Sequence, residues 1–135
     1  MITEQLLKGY VENSTTMLNW TITLIGASFL VILSDSYFKP VGVKKAVYLL
    51  FFPAWCFMAC SVKNALNMAN TFLGRGFLDS KAKDYAIQLI PLGKKINSNY
   101  NDQINNFYWG CSIMSICFAI LVLFFIFNKK TEIDK

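Results

Sequence analysis

Residues 44–74 read KKAVYLLFFPAWCFMACSVKNALNMANTFLG, an apolar run that turns halfway along into an amphipathic, asparagine-rich segment. Between Lys45 and Lys63 lie 17 uncharged residues. At about 1.5 Å of rise per residue, a run of that length is near the minimum that crosses a bilayer core of roughly 30 Å. It reads as a membrane span. Past Lys63 the polar residues Asn64, Asn67, Asn70 and Thr71 recur at helical spacing, with Ala65, Leu66, Met68, Ala69, Phe72 and Leu73 filling the other faces. One helix therefore leaves the membrane without stopping. Pro53 is expected to kink it within the span, and Gly74, in the Gly-Arg-Gly stretch, suits a C-terminal cap.

Composition points the same way. The chain has 135 residues, 55% hydrophobic and 16% charged, with a mean hydropathy of +0.41, too apolar for an ordinary soluble domain. Its net charge of +5 comes from lysines that flank the apolar runs. That is where membrane topology places them, whereas a nucleic-acid binder clusters arginine with exposed aromatics. No nucleic-acid partner is expected; the lipid bilayer is. Cys56, Cys60, Cys111 and Cys117 all fall inside apolar runs without a CxxC pattern, and the chain has no histidine. They read as buried apolar thiols, with no metal or cofactor implied. The opening residues MITEQLLKGYVENSTT lack the basic start and apolar core of a secretory signal, so the first span is expected to be retained.

Working outward, 22 uncharged residues separate Glu12 from Asp35, and 17–33 hold nine Leu, Ile, Val or Phe. Leu6, Leu7, Tyr10 and Val11 carry the helical stripe upstream of that span, to a start near Thr3. Pro40 and Gly42 break the chain over 34–42. Downstream, Leu78, Ala82, Tyr85, Ala86 and Leu89 predict a short amphipathic helix over 79–92, N-capped by Asp79 or Ser80 and stopped by Pro91 and Gly93. The last span is the most apolar: 113–127 hold eleven Leu, Ile, Val or Phe. At roughly 0.3–0.6 kcal/mol each they favour insertion by about 3–6 kcal/mol. Ile96, Tyr100, Ile104 and Phe107 extend this helix back to about residue 98.

The expected fold is an all-α integral membrane protein forming a single membrane domain. Its spans cover about 15–35, 45–63 and 106–128, and residues 2–14 and 64–105 make a small extramembrane helical bundle. Three spans put the start of the first, the end of the second and the start of the third on one side, and those are the three ends that extend. Lys44, Lys45, Lys129 and Lys130 abut spans on the other side, which favours a cytoplasmic C-terminus in a bacterial inner membrane.

The polar residues inside or beside the spans are the candidate functional positions: Asn19, Thr23 and Gly26 in the first, Cys60, Lys63, Asn64, Asn67 and Asn70 in the second and its extension, and Ser112 and Ser115 in the third. Unpaired polar atoms facing lipid cost several kcal/mol, so these faces must meet each other, another subunit or water. Helix packing is one use of them. The other is a water-filled path lined by Asn19, Thr23, Lys63, Asn64 and Asn67 around the axis of a homo-oligomer, because three helices rarely enclose a pore alone. The expected function is accordingly a small oligomeric channel or membrane-perturbing effector. The alternative is a non-conducting binding module, such as a sensor, toxin-immunity protein or accessory subunit, with a protein partner on the extramembrane bundle. In size and span count the chain is similar to many small bacterial membrane proteins, including immunity proteins against pore-forming toxins. No acid lies within a span, which argues against proton-coupled transport, and no nucleophile sits beside a base, so no enzyme is expected.

Overall fold

The computed structural model describes residues 4–33, 46, 48–78 and 84–133. Those residues form three α-helices, α1 (Glu4–Leu33), α2 (Phe51–Gly74) and α3 (Tyr85–Ile133), with no strand among them. All three are long and apolar enough to cross a membrane. At about 1.5 Å per residue, 30, 24 and 49 residues correspond to roughly 45, 36 and 73 Å. The breaks expected at 34–42, Lys44 and Lys45, and the caps Asp79 and Ser80, lie outside the described residues.

The chain runs up, down and up. Trp55, near the start of α2, meets Ser28 near the end of α1, while Leu7 and Met68 meet at the opposite end. Phe51 packs edge-on against Phe118 of α3, and Met68 packs in one cluster with Ile96. The starts of α1 and α3 and the end of α2 thus share one end of the bundle.

The packing follows a seven-residue repeat. The buried residues of α1 are Leu7, Ser14, Thr21 and Ser28, seven apart. Those of α2 are Phe51, Ala54, Met58, Ser61, Ala65 and Met68, alternately three and four apart. Along α3, Leu89, Ile96, Gln103, Gly110 and Cys117 are buried, again seven apart. A repeat of about 3.5 residues per turn keeps one seam facing its partners and produces left-handed, coiled-coil-like packing. Large side chains gather in two clusters. One holds Phe51, Ala54, Met58, Met114 and Cys117, and the other Leu7, Met68, Leu89 and Ile96. Beside the first cluster α3 packs tightly on α2 at Gly110, where a Cβ would stand 2.7 Å from Met58 Cγ and 3.3 Å from the Ala54 carbonyl.

Local features depart from the expectations in four places. The short helix expected over 79–92 is not separate: α3 runs unbroken through Pro91 and Gly93 to Ile133. Proline within a helix costs about 3 kcal/mol. Leu89 and Ile96, buried on either side of it against Leu7 and Met68, contribute about 1.5–3 kcal/mol each. Burial wins, and the helix continues. Pro53 is the third residue of α2 and follows a 3₁₀ turn over 48–50, so it stands near the start of the candidate span Tyr48–Gly74 and not in its middle. Gly74 ends α2 in right-handed helical geometry (φ −58°) and leads into a 3₁₀ turn over Arg75–Phe77, without the left-handed cap expected of a glycine there. Finally, Cys56 and Cys60 are exposed on the outside of the bundle, while Cys117 alone of the four is buried. A membrane keeps outward thiols in apolar surroundings, which is why hydropathy does not separate the two placements.

Candidate functional site

The largest fully buried polar side chain among the described residues is one that periodicity of hydrophobic residues passes over. Gln103 is fully buried between the two apolar clusters, on the inner seam of α3. Its Oε1 accepts a hydrogen bond from Ser14 Oγ at 2.5 Å, and its Nε2 donates to the Ser14 carbonyl at 3.0 Å. Ser61 Oγ donates to the Gln103 main-chain carbonyl at 3.2 Å. One residue from each helix therefore meets at a single polar node. The heptad carries the signal for it, since Gln103 stands in phase with Leu89, Ile96, Gly110 and Cys117. About four turns further along α1, in the apolar part, Trp55 Nε1 donates to Ser28 Oγ at 2.8 Å, and Ser28 Oγ donates in turn to the Ile25 carbonyl.

The sequence-predicted positions lie elsewhere, and the three polar faces do not meet one another within the chain. Thr16, Asn19, Thr23 and Gly26 are exposed on α1, on the face turned away from Ser14, Thr21 and Ser28. Ser112 and Ser115 are exposed on α3, and Cys60, Lys63, Asn67 and Asn70 on α2, with Asn64 half-buried. Hydroxyls on these outer faces look after themselves. Thr23 Oγ1 donates to the Asn19 carbonyl at 2.9 Å and Ser115 Oγ to the Cys111 carbonyl at 2.8 Å, so neither needs a neighbour in lipid. Asn106 does the same with its amide, Nδ2 donating to the Asp102 carbonyl at 2.8 Å. No described hydrogen bond uses the Asn19 side chain, which lines a shallow outer groove of about 270 Å³ with Thr16, Trp20 and Thr23.

Asn67 and Asn70 belong to a second groove, about 350 Å³, whose other walls are Thr71, Lys95 and Asn99. It lies between α2 and α3 near the end of the bundle that carries Leu7, Met68 and Ile96. Lys95 and Asn99 come from the stretch read as loop and helix start, so the pairing of α2 with a continuous α3 is what creates this groove. At that same end Arg75 ties the helices together, bonding Glu4 Oε1 at 2.5 Å and lying 3.9 Å over the Phe72 ring.

Among the described residues no group of His, Cys, Asp and Glu is placed to hold a metal. The site chemistry on offer is amide, hydroxyl and ammonium hydrogen bonding. Comparison with known protein families, with curated proteins and with solved structures finds no match to this chain.

Proposed function

We propose that the chain works as a homo-oligomer in a membrane, joined through the outer face of α1, and acts there as a channel or membrane-perturbing effector. The observation that carries this reading is the second seam on α1. Thr16, Asn19, Thr23 and Gly26 repeat at three- and four-residue intervals opposite the buried seam. Two seams on one helix serve two sets of neighbours: one inside the chain, the other in the next copy. Small residues let backbones approach, and an Asn amide bonded across the contact stabilises it by about 0.6–2 kcal/mol per residue. Each chain is closed inside by Met58, Met114, Cys117 and their neighbours, so a path for ions would run between copies, past Asn19 and Thr23. In this reading the Leu7, Met68 and Ile96 end stands outside the hydrocarbon, with the C-terminus in the cytoplasm of a bacterial cell.

Particle mass in detergent and ion flux in liposomes test it together. A defined oligomer is expected, with Asn19→Leu and Gly26→Leu each shifting it toward monomer; the helix content of that monomer should be unchanged in Gly26→Leu, because nothing within the chain lies within 4 Å of a Cβ at Gly26. A strictly monomeric, non-conducting protein sinks the proposal. The filled interior also suits a second reading, a non-conducting sensor, immunity protein or accessory subunit, which a stable partner co-purifying with the monomer would select.

A further inference from the structure

The groove between α2 and α3 has a lining of one sign. Lys95 supplies a positive charge, Asn67, Asn70 and Asn99 supply amides, and no carboxylate is among its walls. Among the described residues the salt bridges are Lys8 with Glu12 and Arg75 with Glu4, and neither engages Lys95. The Thr71 hydroxyl is already committed to the Asn67 carbonyl at 2.7 Å. Asn99 is the telling residue. Its Nδ2 is buried yet has no hydrogen-bond partner, the one such side-chain atom among the described residues. A buried N–H donor without an acceptor is costly, and in native proteins it marks a missing partner. What the groove lacks is an acceptor with several oxygens and a negative charge.

We propose that this groove binds a phosphate-bearing anion, and that its source is a phospholipid headgroup. The phosphodiester of a headgroup carries one negative charge over two non-bridging oxygens, each with lone pairs for more than one converging donor, and lysine is a common point-charge partner for phosphate. Depth picks the source. Asn67 and Asn70 follow Lys63, the first charge after the apolar run, by four and seven residues. At about 1.5 Å per residue that places them roughly 6–10 Å beyond the end of the span, at headgroup level. This inference does not depend on whether the chain self-associates.

The full-length chain in dodecyl maltoside can be titrated with dioctanoyl phosphatidylglycerol, with dioctanoylglycerol as a phosphate-free control of equal tails, and with inorganic phosphate, following the thermal midpoint and lipid retention by native mass spectrometry. One phosphatidylglycerol per chain is expected to bind and raise the midpoint, with dioctanoylglycerol inert. Lys95→Gln and Asn99→Asp should each weaken binding at least tenfold. Lys94→Gln, the same charge loss outside the groove, should change it less than twofold. If Asn99→Asp does not fold, the exposed Asn70→Ala takes its place and should lose at least threefold. Saturable binding of inorganic phosphate without any lipid binding would keep the anion site and overturn the lipid as its source. Equal losses in Lys94→Gln and Lys95→Gln, or no binding of either phosphate compound, would overturn the site itself.

Discussion

Replacing Ser14, Gln103 or both separates what the polar node contributes from what apolar packing around it contributes. Ser14→Ala removes the hydroxyl that donates to Gln103 Oε1 at 2.5 Å. The fully buried Gln103 then keeps an acceptor with no donor, at a cost of about 1–3 kcal/mol. Gln103→Leu is nearly equal in volume and removes both Gln103 side-chain bonds, at 2.5 and 3.0 Å. At about 1 kcal/mol net per bond the loss is roughly 1–2 kcal/mol, moderated because a serine hydroxyl can turn to its own helix as Thr21 does toward Met17. The double variant leaves no orphan and presents apolar groups to apolar groups, so it should cost less than the sum of the singles, with a coupling of about 1–2 kcal/mol. Equilibrium unfolding in mixed dodecyl maltoside and SDS micelles, followed by tryptophan fluorescence, measures all four corners of the cycle. If the two single costs add to within about 0.5 kcal/mol, the two side chains are not coupled and the node is incidental to the fold.

Further substitutions probe the other contacts. Gly110→Ala must push Met58 Cγ away from 2.7 Å and should cost about 1–3 kcal/mol by the same unfolding assay, whereas Gly26→Ala, with open space around it, should leave the fold unchanged. Trp55→Phe keeps an aromatic ring against Phe29, now 4.3 Å away, but loses the 2.8 Å bond to Ser28. The expected loss is about 0.5–1.5 kcal/mol, and Ser28→Ala added to it should cost little more. Pro91→Ala restores an amide that can bond the Ile87 carbonyl in a helix that already continues through that point. It should raise stability by about 1–2 kcal/mol, and slower amide exchange over residues 85–95 would register it.

Much of the architecture was legible without coordinates. Runs of 22 and 17 uncharged residues, and a third with eleven large aliphatic or phenylalanine residues in 113–127, leave only helices as an option if they cross lipid, because each backbone N–H and C=O must find its partner within its own segment. The apolar stripes of Leu7, Tyr10 and Val11 and of Ile96 and Tyr100 also told where the helices continue, and those residues pack together at one end. The site was far less legible. Asn67 and Asn70 could be named, but their companions Lys95 and Asn99 sit beyond a proline and glycine that local rules read as a stop.

The chain's own residues thus determined the class of its helices and how many are long and apolar enough to cross a membrane, since solvation of the backbone is a local demand that each segment meets alone. Tertiary structure decided which face of each helix looks inward. On α1 the stripes Ser14, Thr21 and Ser28 and Thr16, Asn19 and Thr23 are both short and polar, and their spacing alone does not say which one faces inward. Only Gln103 and Trp55 on the neighbouring helices do so, by supplying partners to Ser14 and Ser28 that the other stripe lacks among the described residues. Pro91 was settled in the same way, by apolar area buried on Leu7 and Met68 and not by the local preference of the proline itself.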